Sequence, residues 1–143
     1  MKRVLCILLI AVAVTAMLCS CGKKAKQQKR IDTGAVKHIV VVRSENDASK
    51  EDDIIKRRVI VSFVDIYNSM SFNKTDDVDA DELSADGLYS MTFYDYDEKV
   101  IGECSISAQG YVFVDGDMDT PYKLTEAIDL EEIDELIAEN KAD

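Results

Sequence analysis

The densest run of groups able to do chemistry is Asp115-Gly116-Asp117-Met118-Asp119, with Glu126 seven residues beyond Asp119. The carboxylates fall at positions 1, 3, 5 and 12 of a calcium-loop count, and oxygen ligands at alternate positions can wrap one Ca²⁺. Thr120 stands where such a loop needs glycine, Pro121 stiffens the chain, and the preceding residues read as strand. The same residues suit an acidic turn joining two strands. Asp115, Asp117, Asp119 and Glu126 are therefore the candidate metal ligands, and calcium is the one cofactor they suggest.

Two other side chains carry reactive potential. His38 is the sole histidine, and no Ser or Cys motif pairs with it. Strand alternation puts it on one face with Val36 and Val40, partly buried. Cys104 falls on the face of its strand expected to meet the core. With no basic neighbour in sequence to lower its pKa, it reads as a small hydrophobe rather than a nucleophile. Acidic residues are abundant, but no pair stands out as a glycosidase couple. There is no Trp and no glycine-rich phosphate loop. No catalytic residue is assigned.

The remaining chemistry is at the N-terminus. Lys2 and Arg3 precede an apolar run, Val4 to Leu18, broken only by Thr15. The run is short of the roughly 20 residues that cross a bilayer core, and a basic, polar stretch follows. Leu18-Cys19-Ser20-Cys21-Gly22 then resembles a bacterial lipobox: Leu at −3, a small residue at −1 and Cys at +1. Cys19 at −2 departs from the usual small residue. The resemblance implies removal of residues 1–20 as a signal peptide and acylation of Cys21. Each buried CH₂ of an acyl chain contributes about 0.8 kcal/mol, so two or three chains hold stably. Lys23, Lys24, Lys26, Lys29 and Arg30 follow, and residues 21–34 read as a lipidated, basic, flexible tether.

The charge is divided. All 28 acidic residues lie at Asp32 or beyond, against ten Lys and Arg there, a formal charge of −18. Such a globule repels nucleic acid and other polyanions. Repulsion from anionic lipid would hold it off the bilayer at the end of its tether. Once residues 1–20 leave and Cys21 is acylated, Cys104 is the only free thiol, so no internal disulfide can form. The remaining length suits one acidic domain over residues 35–143.

The elements follow from periodicity. Val36 to Val42 is β-branched and reads as a strand. Ser49-Lys50-Glu51-Asp52 resembles a helix start, with Ser at the N-cap. A stripe at Ile55, Val59, Phe63, Ile66 and Met70 extends that helix. Asn73 to Gly87 is an acidic connection. Leu88–Asp95, with Tyr89, Met91 and Phe93 inward, and Lys99–Ser107, with Val100, Gly102, Cys104 and Ile106 inward, alternate as strands. Asp95 to Glu98 turns between them. Tyr111–Val114 is a further strand, and Pro121–Thr125 a short last one. Asp129-Leu130-Glu131-Glu132 opens a second helix, with Leu130, Ile133, Leu136 and Ile137 on one face. This order predicts an α+β fold: an antiparallel sheet of about four strands with two helices on one face.

A basic stretch after a lipobox cysteine, then "IYNSMSF", "YSMTFYDYDEKVIGECSIS", "GYVFVDG" and "DLEEIDELI", resembles a group of small lipoproteins of clostridia-type Gram-positive bacteria. The likeness covers roughly residues 36–139. It implies an α+β domain at the outer face of the cell membrane, or in the periplasm if the host has two membranes. It brings no active-site residue. The expected partners are the membrane, through lipid on Cys21, and another envelope protein; nucleic acid is not among them. A cation- or solute-binding lipoprotein is the rival reading, and a small envelope hydrolase the third.

Overall fold

The computed structural model describes residues 25–45, 48–75, 78 and 87–142. The expected signal segment, Cys21 and most of the acidic connection (residues 76–86) lie outside the described residues.

Alternation of apolar and polar side chains builds the sheet. In β5 (Leu88–Tyr94), Tyr89, Met91 and Phe93 are buried while their neighbours are half-buried. β6 (Val100–Ile106) and β7 (Tyr111–Val114) follow as antiparallel neighbours. β2 (His38–Glu45) pairs with β5 on one side and with β3 (Ala48–Ile54) on the other. β8 (Tyr122–Leu124) joins β7, β4 (Ser71–Lys74) joins β8, and β1 (Lys26–Gln27) closes that edge. The result is one antiparallel sheet in the order β1-β4-β8-β7-β6-β5-β2-β3.

Helix α1 (Arg57–Ser69) carries the chain from the β3 edge to β4, near the opposite edge. It buries Val59, Ile60, Phe63, Val64 and Tyr67. α2 (Leu130–Lys141) buries Ile133, Leu136 and Ile137. These residues share one core with Ile39, Val41, Met91, Phe93, Cys104, Ile106, Val112 and Val114. Both helices therefore cover the same sheet face.

The α+β class, the antiparallel sheet and the two helices agree with expectation, but the sheet has eight strands rather than about four. The largest departure is at Ser49 to Ile54. This is strand β3, not the start of a helix. As an edge strand it carries exposed charges, Lys50, Glu51 and Asp53, a common protection for unpaired edges, and in sequence these mimic a capping box. α1 begins only at Arg57, and its N-cap, Lys56, makes no side-chain capping bond. Asn140 of α2 holds the chain just before the helix, its Oδ1 accepting from the Ile55 and Lys56 amides at 3.1 Å each. Ile55, expected in the apolar stripe, is 66% exposed at this junction.

The second departure is the tether. Residues 26–34 are not a spacer. Lys26 and Gln27 pair with Phe72 and Ser71. Gln28 is buried and donates from its side chain to the Tyr67 hydroxyl. Ile31 enters the core. Asn68 clasps its backbone, accepting from the Ile31 amide at 2.8 Å and donating to the Ile31 carbonyl at 2.9 Å. A 3₁₀ turn, Thr33–Ala35, leads on to β2. Gly102 makes the close approach possible: a Cβ there would sit 2.2 Å from Ile31 Cδ1 and 3.0 Å from the Tyr67 hydroxyl.

Candidate functional site

Antiparallel pairing gathers the chemistry-bearing residues at one end of the sheet. The N-terminal ends of β2, β6 and β8 and the C-terminal ends of β3, β4, β5 and β7 lie there. Lys26 pairs with Phe72 and so stands in the row of Leu124, at the opposite end of the register from His38 and Val100. The turns at residues 95–99 and 115–121, with His38 and Ile55, form the surface of the His38 end.

The Asp115–Asp119 turn is built around its own backbone. Asp115 (φ 54°) and Gly116 (φ 71°) are both left-handed, and the Asp117 amide donates to the Val114 carbonyl at 3.0 Å. Two successive positive φ values inside a 4→1 bond make a type I′ turn, which Asp-Gly favours. Asp117 Oδ1 accepts from the Asp119 amide at 3.0 Å. A hydrogen bond from the Thr120 side chain is the main reason its pKa lies below the ordinary carboxylate value. Glu126 follows β8, so the length of that strand separates it from the turn. Among the described residues no group of three or more His, Cys, Asp or Glu is placed to hold a metal. The proposed ligands Asp115, Asp117, Asp119 and Glu126 are thus not brought together; the acidic-turn reading fits the geometry.

His38 is better furnished than its sequence context suggests. Its Nδ1 lies 2.7 Å from Asp53 Oδ1 and its Nε2 3.0 Å from Glu98 Oε2. The ring stacks on Tyr94 with centroids 4.8 Å apart. Partial burial pulls the imidazole pKa down, but the two carboxylates outweigh it and leave the pKa raised above 6.5. Lys37 also pairs with Glu98, and the Lys37 and His38 hydrogen bonds hold the Glu98 carboxyl below its ordinary value. Both imidazole nitrogens face carboxylates, so the protonated ring can donate to each. This suits a charged clasp joining β2, β3 and the β5–β6 turn better than a general base, which needs a nitrogen facing substrate. Its partners, fifteen and sixty residues away in sequence, gave no local signal.

Beside this clasp, Lys29, Tyr67, Gly102, Glu103 and Asp115 help line a shallow cleft of ≈ 240 Å³. The Tyr67 hydroxyl points to Gln28, and burial raises its pKa. Cys104 is fully buried, and burial pushes its thiol pKa well up, so it is inert as a nucleophile.

The far end of the sheet is different. Arg43 reaches across to α2, with Nη1 2.7 Å from Asp134 Oδ1, and the Tyr89 hydroxyl donates to Asp134 Oδ2 at 3.0 Å. Arg43 Nε is buried without a partner. Beside it Arg43, Glu45, Ala48, Ser49 and Lys50 line a hollow of ≈ 300 Å³.

Among the described residues no helix is long and apolar enough to cross a membrane. Comparison with known protein families, with characterised proteins and with solved structures yields no match.

Proposed function

We propose that this chain is a cell-envelope lipoprotein, acylated at Cys21 and facing outward, whose acidic α+β domain binds another envelope protein without catalysis. The observation that carries the anchoring is the Leu18–Gly22 pattern, followed within five residues of Cys21 by the first strand of the fold. A lipid-modified cysteine at that spacing joins membrane and domain directly.

The partner-binding half of the reading is supported by the far edge. β3 pairs on one side only, with β2. An open strand edge can accept an extended segment of another chain by main-chain hydrogen bonding. The hollow lined by Arg43, Glu45, Ser49 and Lys50 adjoins that edge and offers mixed polar groups to a polar side chain of such a segment. The clasped His38 and the self-satisfied acidic turn give no comparable support to the hydrolase or calcium readings.

Cys21→Ser tests the anchoring. The wild-type protein should fractionate with membranes, and its mature N-terminal peptide should carry acyl mass. The variant should appear unprocessed or free in the medium. Full membrane retention of an unacylated Cys21→Ser chain would refute the reading.

A further inference from the structure

Alternation along β7 sends Val112 and Val114 into the core shared with the helices, and Tyr111 and Phe113 to the other face of the sheet. Those two should stand open, yet Tyr111 is 5% and Phe113 4% exposed. Beside them on β6, Ser105 is 8% exposed and its hydroxyl lies 2.7 Å from that of Ser90. Toward β2 the same face opens, and Val40, Val42, Ser90 and Thr92 are only half-buried. Both helices, with Ile31 and Val36, pack on the opposite face. Lys123 Nζ stands 4.2 Å from the Tyr111 ring centroid, but one flexible side chain does not bury two aromatic rings. Something further covers β6 and β7 on the side away from the helices.

Strand direction says which segment that is. Counted through the antiparallel pairs, β3, β4, β5 and β7 all run parallel to one another. α1 takes the chain across the sheet from β3 to β4, and residues 75–87 take it back to β5. Both are crossovers between parallel strands, and such crossovers are right-handed in about 98% of cases. Two right-handed crossovers that travel in opposite directions lie on opposite faces. α1 holds one face, which leaves the other to residues 75–87. The reach agrees. Lys74 stands in the row of Tyr122, Val112, Ile106 and Tyr89, so the step from β4 over β8, β7 and β6 to β5 is about 19 Å. Residues 75–87 span up to about 45 Å when extended, enough to arch over the face.

We infer that this acidic connection is the layer over the second face, with Val78 and Leu83, its large apolar side chains, turned to Phe113 and Tyr111 and its carboxylates outward. Val78 is half-buried, as a residue in that layer should be. The inference does not depend on acylation of Cys21. It removes this face from the surfaces open to a partner and leaves the β3 edge, which pairs on one side only.

The chain contains no Trp, so Leu83→Trp gives a single fluorescent reporter in the full protein. Tyr96→Trp, at a position 66% exposed, is the open reference. The indole at position 83 should emit to the blue of the reference and be quenched by acrylamide severalfold less. Phe113→Ala added to Leu83→Trp should raise that quenching severalfold, toward the reference, while the far-UV circular dichroism of the fold is kept. Quenching equal to the reference, or protection that Phe113→Ala leaves unchanged, overturns the inference. The unmutated chain gives a second reading should a variant not fold. Lys123 stands on the same face as Tyr111, so carbodiimide at high dilution should join it to a carboxylate among Asp76, Asp77, Asp79, Asp81, Glu82 and Asp86 of the same chain, identified by mass spectrometry. No such link, or links only between two copies, overturns it.

Discussion

The two ends of the sheet are built from similar residues and use them differently. At the far end one ion pair, Arg43–Asp134, links sheet and helix, its side chains 19% and 43% exposed. At the His38 end the cation is as covered, at 19%, but its partners are more open: Glu98 is 55% and Asp53 57% exposed. Elsewhere Asp52, 5% exposed, pairs with Lys141 of α2, and Ile31, Asn68 and Tyr67 form a buried apolar-and-amide latch. Exposed ion pairs contribute little to stability, whereas buried side chains and their hydrogen bonds contribute several kcal/mol. The N-terminal segment should thus be held by its latch, and the exposed Glu98 and Asp53 should be nearly free to change.

Ile31→Ala attacks the latch and should have the largest effect, about 2–4 kcal/mol by the usual cost of truncating a buried aliphatic side chain. Urea unfolding measures it. Gly102→Ala should follow at about 1–3 kcal/mol, because Ile31 Cδ1 must vacate the space the new methyl needs. A loss from Gly102→Ala that disappears in the Ile31→Ala background would show that the two act through one contact. At the far end Arg43→Ala should cost about 1–2 kcal/mol, since Asp134 and Tyr89 lose a partly buried partner.

The charged clasp should matter less. The pKa of His38 is raised in the fold, so its protonation stabilises the protein fully below pH 6.5. That contribution fades as pH rises through the folded value. His38→Gln should remove this slope and cost under about 1 kcal/mol at acidic pH, the range of exposed pairs. Melting curves on either side of neutrality would show it; a stabilisation that grew with pH would contradict the assignment. Smallest of all is Asp119→Asn, whose side chain points to solvent. It should change stability by less than about 0.5 kcal/mol, with or without added calcium in the melt. A calcium-dependent rise lost in this variant would revive the cation site.

Legibility in the sequence followed the locality of the cause. β5, β6 and β7 could be read because alternation is written in consecutive residues, and α2 because Asp129 caps it within one turn, accepting from the Glu131 amide at 2.9 Å. β3 was misread because an edge strand needs charges, and Ser49-Lys50-Glu51-Asp52 places them as a helix start would. The start of α1 has no local signal, because Lys56 makes no side-chain cap and the contact that fixes the preceding residues, Asn140, is some 85 residues away. β1 and the latch were invisible because Lys26 and Gln27 are polar, and the partners that fix the segment, Tyr67, Asn68 and Phe72, lie about forty residues on. Of the candidate sites, the Asp115-Gly116 dipeptide was readable as a turn. The acids around it invited a metal reading that counted carboxylates without their hydrogen bonds.

The central claim is that the fold begins at Lys26, five residues after Cys21. Amide hydrogen exchange on the protein tests it most directly. Gln28 donates its amide to the Met70 carbonyl at 3.3 Å, and Ile31 donates to Asn68. Both amides should be protected, Ile31 to a degree comparable with Phe63 in the middle of α1. Exchange of Ile31 at the rate of an unstructured peptide would contradict the account and return residues 21–34 to the role of a free tether.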